Sequence, residues 1–592
     1  MVRYHMRCCG PQRPWEHRQA GAIRNRKRAI VGCTSAAGAS CPPPSLLFPS
    51  TLASFVCNAA RLSSTAAMGS SAMPSPAHSS LHKLLQLTLF LLLSASILPI
   101  STTLAIVYSI KHTFAKFWTP PRQHFAPRKF LLTGAGTPAG LAVARALSAA
   151  GHLVIAADVE TWSFSSNARI STAVSRFYRL LEPGVRTFKP GSVGKLVRNL
   201  LARLQGLSYT AERQIVGLQQ IVKIAEHEKP DLWIPCDSSY SFATIYPKTT
   251  QASKLLSRRL LGSKDELTDG HTFELTASSL DTDVRAPIVR QVTTRGEIHK
   301  ILSAASGTGQ HFILERTAHD PRGGIVLPRP TQNDTYQTIA GVQMASSKSW
   351  TLRELVHGNL YVAHGLVVNG ALKAVVAGGY PDGASYDNTN RPEIPHLDGI
   401  RTLLPDGALH AAIVSFSDAF ASSLGLDVSA HLSIWFCVSE VPSLSGSKTS
   451  IHAVDYELSP HPSLSLLAQQ ESLVAAYIKA SVTPPSDYIK NGGVKMVNGY
   501  KHEDVLTATS GAKGVYSLPS VVMEALAAPL TRFFLREGSF TNVVGGLAYV
   551  LERTAFWQEE LLDKRDPWPG WVNFHIVYPL RAIGEFGDTH WR

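Results

Sequence analysis

The sequence predicts a mixed α/β protein in which an apolar helix stands ahead of a parallel α/β domain, a β-rich α+β domain and a helical extension. Three observations predict it. A strand, a Gly-punctuated turn, a helix and a second strand follow one another from Lys129 to Asp158. Strand-like runs surround the dipeptide Asn369-Gly370, a strong hairpin signal. Two stretches with helical apolar spacing, LPSVVMEALAAPLTRFFL and FTNVVGGLAYVLERTAFW, close the chain.

Composition sets the outer limits. At about 150 residues per domain, 592 residues make two to four domains. Hydrophobic residues at 44% and charged residues at 17% exclude a disordered, collagenous or disulfide-scaffold chain. The net charge of +14 suggests nucleic acid, but its placement removes that reading. Residues 1–157 hold 16 Lys/Arg against the single acid Glu16, so the rest of the chain sums to −1. A neutral body offers no basic groove, and no nucleic-acid partner is expected. Five of the seven cysteines lie at or before Cys57. Cys236 and Cys437 alone build neither a disulfide framework nor a zinc site.

Residues 1–80 read as a disordered basic extension. Their Arg-rich, acid-poor, Ser/Ala-rich start is similar to a mitochondrial transit peptide, the alternative being an extension ahead of a later start at Met68 or Met73. The anchor segment, 81–117, contains Leu84–Ile110, 27 residues without a charge, where about 20 suffice to span. Pro99 allows a kink or a re-entrant hairpin there. Lys111, Lys116, Arg122, Arg128 and Lys129 follow the segment, which places the larger C-terminal part in the cytosol. The expected localisation is therefore membrane-anchored with cytosolic C-terminal domains, mitochondrial targeting being the alternative.

After a Pro-rich linker, 128–250 is expected to form a Rossmann-like domain. Phe130–Thr133 reads as a buried strand, Gly134, Gly136 and Gly140 as a tight turn, and Leu141, Ala144 and Leu147 as the stripe of a helix. Val154–Ala157 is the next strand. Ile215, Leu218, Ile221 and Ile224 stripe another helix before strand Leu232–Pro235. Asp158 lies 18 residues after Gly140, close to a dinucleotide fingerprint. The competing reading is a tight turn that holds no dinucleotide. A nicotinamide-dependent reductase would also use a Tyr and a Lys four residues on, and the chain contains no Y-x-x-x-K.

The α+β domain is expected over 255–480. Strand then helix are read in VRAPIVRQVTTRGEIHKIL, strand then Gly loop in HFILERTAHDPRGGIVLPRP, and a hairpin around Asn369-Gly370. Helix 411–425 and strands HLSIWFCVSE and SIHAVDYELSP follow. In the extension, 515–592, DPWPGWVNFHIVYPL crowds Trp568, Trp571, Phe574 and Tyr578 into 15 residues. It reads either as a platform on the bilayer beside the anchor or as an aromatic cap on the large lobe.

The order of these segments resembles the ATP-grasp superfamily. It is most similar to fungal membrane-anchored ATP-grasp proteins related to the mycosporine-type amino-acid ligases. The resemblance is carried in order by the apolar HKLLQ segment, the TGAGTPAG turn, SRFYRLLEP, KPDLWIPC, FILE, RELVHG, AHGLVVNGALKAVVA, HLSIWF, YELSP and the late DPWPGW aromatics, over about 81–585. It implies a Rossmann-like pre-ATP-grasp domain, a two-lobed ATP-grasp domain, ATP and Mg as cofactors, and a ligase joining a small carboxylate to an amine. On the resemblance, Arg322, Gly323 and Gly324 cover the phosphates, Glu354 and Leu355 meet the adenine, and Glu457 and Ser459 hold metal; Asp455, two residues before Glu457 on the same face of its strand, is the candidate to replace a missing metal carboxylate. His461 stands at the family Arg position.

The sequence also departs from that pattern. Glu315 replaces the phosphate-binding Lys, and a carboxylate beside a triphosphate repels it. Trp435 stands where a metal-binding Asp is expected, Ser459 replaces an Asn, and His461 an Arg. The expected function is therefore a membrane-associated, ligase-like protein with a degraded nucleotide and magnesium site, taking a small-molecule substrate. The alternative is a non-catalytic scaffold or metabolite-binding protein at a membrane; a nicotinamide-dependent reductase is the third reading.

Overall fold

The first element, α1 (Pro76–Trp118), runs unbroken through Pro99, so neither a break nor a hairpin forms there, and it begins before the expected anchor boundary. A computed structural model describes residues 76–118, 126–160, 166–180, 209–237, 259–261, 272–307, 310–316, 324–344, 350–380, 385–387, 399–425, 428–443, 446–468, 470–482, 505–508 and 513–590. All belong to one compact unit, Asn58–Arg592. The expected basic extension before Pro76 and the loop Asp320–Gly323 lie outside these residues.

Next come β1 (Lys129–Thr133), α2 (Pro138–Ala149), β2 (Leu153–Val159), β3 (Arg176–Leu180), α3 (Tyr209–Glu228) and β4 (Leu232–Pro235). They form a four-stranded, wholly parallel sheet in the order β3-β2-β1-β4. Near-continuous apolar strands suit a sheet covered on both faces. Phe130 and Leu132 pack into one core and Leu131 and Trp233 into another. Gly134 takes φ +69° to leave β1, and Thr137 caps α2 by accepting from the Gly140 amide.

A smaller antiparallel sheet follows α4 (Thr272–Ser279). It is built from β5 (Val289–Val292), α5 (Arg295–Ala305), β6 (Phe312–Arg316), β7 (Ile325–Leu327), α6 (Gln332–Gly341) and β8 (Trp350–Glu354), in the order β5-β8-β6-β7. A capping box between Thr294 and Glu297 starts α5. Phe312, Leu314 and Leu352 pack on Ile298 of α5 and Ile339 of α6.

The chain then enters the largest sheet directly. Its elements are β9 (His357–Val368), β10 (Ala371–Gly379), β11 (Ser385–Asp387), β12 (Ile400–Thr402), α7 (Ala408–Ser423), β13 (Ala430–Ser443), β14 (Gly446–Glu457), α8 (Glu471–Val482), β15 (Leu506–Thr507) and β16 (Gly514–Tyr516). The β9–β10 hairpin turns on Asn369 and Gly370, both with positive φ, as a type I′ turn requires. One face of β9 and β13 packs on α7 and α4.

The last part is helical. After α9 (Leu518–Val522) a π turn, Met523–Ala527, leads into α10 (Ala528–Phe534). The remaining elements are α11 (Phe540–Phe556), β17 (Gln558–Glu559), α12 (Trp568–Val572) and, after a second π turn at Asn573–Val577, α13 (Tyr578–His590). The aromatic run packs on α1, with Phe574 and Tyr578 against Phe90, and Phe574 shares a buried cluster with Tyr516 of β16 in the large sheet. Asp566 ties the run to the parallel sheet as well. It takes hydrogen bonds from Arg145 Nε (3.1 Å), Ser171 Oγ (2.6 Å) and the Thr172 amide (2.8 Å), while Arg145 also reaches the Asp566 and Leu561 carbonyls.

Candidate functional site

The first place to look for a phosphate is the Gly-rich turn after β1. The Asp158 carboxylate fills it, accepting from the Gly136 amide at 2.9 Å, Ser166 Oγ at 2.6 Å and the Val159 amide at 2.8 Å. A Cβ on Gly136 would lie 2.3 Å from Asp158 Oδ2. The amide that a pyrophosphate would use is therefore already taken by the acid of the fingerprint itself. Burial lifts the Asp158 carboxyl to about 6, against the hydrogen bonds that lower it.

The second place lies where the small sheet meets the large one, at Glu354–His357. Strand alternation turns Phe312 and Leu314 into the small lobe's own core, so Ile313 and Glu315 occupy the opposite face. Register pairs Ile313 with Arg353 and Glu315 with Thr351, which puts Arg353 on that face diagonal to Glu315. Arg353 is half-buried, its Nε has no hydrogen-bond partner, and among the described residues it makes no ion pair. Sequence reasoning searched β6 for a cation and found Glu315; β8 carries one beside it. Gly324, of the expected phosphate cover, packs against the same face, where an added Cβ would strike Ile313 at 2.2 Å and meet Glu315 at 3.1 Å. Arg322 and Gly323 lie outside the described residues.

The expected adenine contacts are largely committed to structure. Glu354 accepts from the Ile288 amide and from Gln310 Nε2, each at 3.0 Å. The Leu355 amide donates to the His311 carbonyl at 2.7 Å. These bonds fasten the hinge strand to its neighbours.

On the large sheet, β13 and β14 pair Ser433 with Glu457 and Trp435 with Asp455, and β9 adds His364 and Val362 beside them. Directly opposed residues share a face, so the two carboxylates do come together, at one end of the face that carries Trp435. Glu457 is half-buried and Asp455 exposed; the Asp455 carboxylate accepts from the Tyr456 amide. Trp435, 5% exposed, fills the space between Val362, Leu360 and Val454. Among the described residues no three His, Cys, Asp or Glu side chains converge on a metal position. Two carboxylates, one tied to backbone, are a poor fit for Mg²⁺, which demands near-octahedral oxygen ligation.

Ser459 and His461 belong to a buried polar cluster. Ser433 Oγ donates to the Ser459 carbonyl and pairs with His364 Nδ1 at 2.8 Å. His461 caps the short turn Pro462–Leu466, its Nδ1 accepting from the Ser463 amide. The His364 ring stacks on His431, which meets the Tyr477 hydroxyl at 3.1 Å. Burial holds all three imidazoles neutral, lowering His431 to about 3, His461 to about 4 and His364 well below its ordinary value. His461 therefore carries no charge where the family pattern has an Arg. No local sequence signal marks this cluster, because His364, His431 and His461 meet only through the β9–β13 and β13–β14 registers.

No family model matches the chain, and no curated protein matches it. Solved structures do. It is similar to an L-amino acid ligase from Bacillus licheniformis at 11% identity and TM-score 0.33, over 61% of this chain and 78% of that one. A biotin carboxylase–β,γ-ATP complex from Campylobacter jejuni matches at 10% identity and TM-score 0.36, over 61% and 73%. A RimK domain ATP-grasp protein from Sphaerobacter thermophilus matches at 10% identity and TM-score 0.26, over 60% and 96%. The likeness is loose, and the chemistry has to be argued from this chain's own residues.

Proposed function

We propose that the chain is a membrane-associated protein of ATP-grasp, carboxylate–amine ligase ancestry whose nucleotide and magnesium site is degraded, with 128–250 as its Rossmann-like pre-domain. The observation that supports this reading is the occupancy of the site positions. Trp435 fills the face where metal carboxylates would converge, Asp455 is tied to its own strand, His461 is spent on a cap, and Glu315 puts negative charge diagonal to Arg353 on the same face. The residues present do not fit Mg-ATP, so no phosphoryl-transfer step is derived for them. Arg353 remains suited to a carboxylate or phosphate of a small metabolite. Membrane association rests on α1, of which Leu81–Ala115 is apolar and long enough to cross a bilayer. The filled Gly136 turn speaks against the reductase alternative.

Thermal unfolding with millimolar Mg-ATP tests the reading. A ligand at 100 times its Kd stabilises by about 2.7 kcal/mol, and the natural protein is expected to show no shift. The joint variant Glu315→Lys, Trp435→Asp and Ser459→Asn is expected to gain one, since cation and metal ligands act together. A clear shift in the natural protein would sink the degenerate-site reading and restore an active ligase.

A further inference from the structure

We propose that the C-terminal helices enter the bilayer together with α1, so that the membrane part is a helical domain and not a lone anchor. The proposal rests on the reading of α1 as a membrane helix.

The contacts along α1 carry the argument. His82 pairs with Glu537 at 2.9 Å, and Gln86 donates to the Met523 carbonyl. The Phe90 ring lies 5.6 Å from Phe574 and 5.2 Å from Tyr578. Ser94 and Ser101 each meet a nitrogen of His575 at 2.8 Å, and Trp571 Nε1 donates to Thr102 Oγ1 at 3.0 Å. One face of α1 is thus covered from His82 to Thr102, roughly 30 Å at 1.5 Å per residue, about the thickness of a hydrocarbon core. Of the charge-free stretch Leu84–Ile110, only Thr103–Ile110 stays clear of these partners, roughly 12 Å of helix and too short to cross. Wherever α1 crosses, Trp571, Phe574 and His575 cross with it.

The C-terminal helices are dressed for that place. Phe540, Val544, Leu547 and Leu551 are exposed at i, i+4, i+7 and i+11 of α11, a single outward stripe. Phe533 and Phe534 of α10 and Leu580 and Ile583 of α13 are exposed as well. Elsewhere among the described residues only Leu153, Ile288, Tyr336, Leu404 and Leu562 are large, apolar and exposed, and they are scattered along the chain. The polar groups on the covered face are paired, with both His575 nitrogens and the Trp571 indole satisfied by hydroxyls of α1, as a water-free surrounding demands. Gly546 brings α11 so near the first π turn that a Cβ would strike the Ala525 carbonyl, the close approach that small residues permit between membrane helices.

Lipid, and not a second protein, fits this surface. Exposed apolar side chains run along α1 from Leu84 through Leu92, Ile100 and Val107 to Phe114, so the span that is long and apolar enough to cross a bilayer is the one left uncovered beside the C-terminal helices.

The test uses the full chain in phosphatidylcholine nanodiscs, with a diazirine leucine analogue placed singly at Leu547, Leu92 or Leu404, or in place of Ile583. All four positions are exposed and the analogue is near-isosteric, so folding is preserved. Lipid adducts at 92, 547 and 583, and none at 404, are expected. Adducts at 92 without 547 and 583 would overturn the proposal and leave α1 as the sole anchor. Cross-links from 547 to a second copy of the chain would overturn it in favour of a self-interface. No lipid adduct at 92 would refute the membrane reading of α1 itself, and the proposal with it.

Discussion

Two regions of the molecule offer a place for phosphate, and they are built in opposite ways. In the turn Gly134–Gly140 the amides of Gly134, Gly136, Thr137 and Gly140 are engaged, Gly136 on Asp158, and Asp158 also accepts from Ser166 and Val159. On the two later sheets, the side chains of Arg353 and Glu457 make no hydrogen bond or ion pair among the described residues. The first region has the better motif and the second the more available chemistry. A pattern of glycines describes backbone shape, and shape serves a closed turn as well as a ligand. Whether donors and acceptors are spent is a tertiary fact.

The contrast between spent and unspent groups can be pressed experimentally. The largest effect is expected for Asp566→Ala, which strands Arg145 in a buried setting and leaves Ser171 and the Thr172 amide without their acceptor. Breaking such a pair costs about 3–5 kcal/mol, readable from urea unfolding. A loss below about 1 kcal/mol would mean solvent replaces the carboxylate.

Acid separates the two sheets next. His431 and His461 stay neutral in the fold down to about 3 and about 4, and His364 is lowered as well, whereas an unfolded histidine protonates near 6.5. The unfolded chain then binds more protons, so stability is full above about pH 6.5 and falls as pH drops toward 4, by roughly 1.4 kcal/mol per pH unit for each histidine. Asp158, raised to about 6, acts with the opposite sign: its proton is held more tightly in the fold, so its contribution grows as pH falls through 6. Burial raises Glu559 and Glu560 too, which act with Asp158, and lowers His152, His410 and His452, which act with the three histidines, so the balance predicts net acid destabilisation. A urea midpoint constant from pH 7 to 4.5 would contradict the burial of the histidines.

Smaller effects test the unspent side. Glu457→Gln and Arg353→Gln are each expected to change stability by under about 0.5 kcal/mol, as for groups without specific partners. Arg353→Gln is also expected to weaken the Mg-ATP response of the Glu315→Lys, Trp435→Asp, Ser459→Asn variant. A response unchanged by that substitution would place Arg353 away from the phosphates. The smallest effect is expected on removing residues 1–67, which should leave the melting temperature where it was.

Local chemistry was legible in the sequence. Glycines marked the β1–α2 turn, Asn369-Gly370 marked a hairpin, and the apolar run marked α1. So was the pairing of Asp455 and Glu457 on one face, because alternation is a local rule. What escaped depends on pairing between distant segments. Arg353 reaches the face of Glu315 only through the β6–β8 register. The three histidines meet only through the β9–β13 and β13–β14 registers. Asp566 reads as one more acid near a proline until its partner, 421 residues earlier, is known.

That separation along the chain has a consequence in time. The serines that hold His575 are made early and His575 itself 474–481 residues later. At about 5–20 residues per second, α1 leaves the ribosome roughly 20–100 s before its packing partners exist. For that interval its Phe90 and its serines have no native companion, and something other than this protein must shield them. The order of synthesis thus demands a temporary host for α1, which the C-terminal helices replace in part only once they have been made.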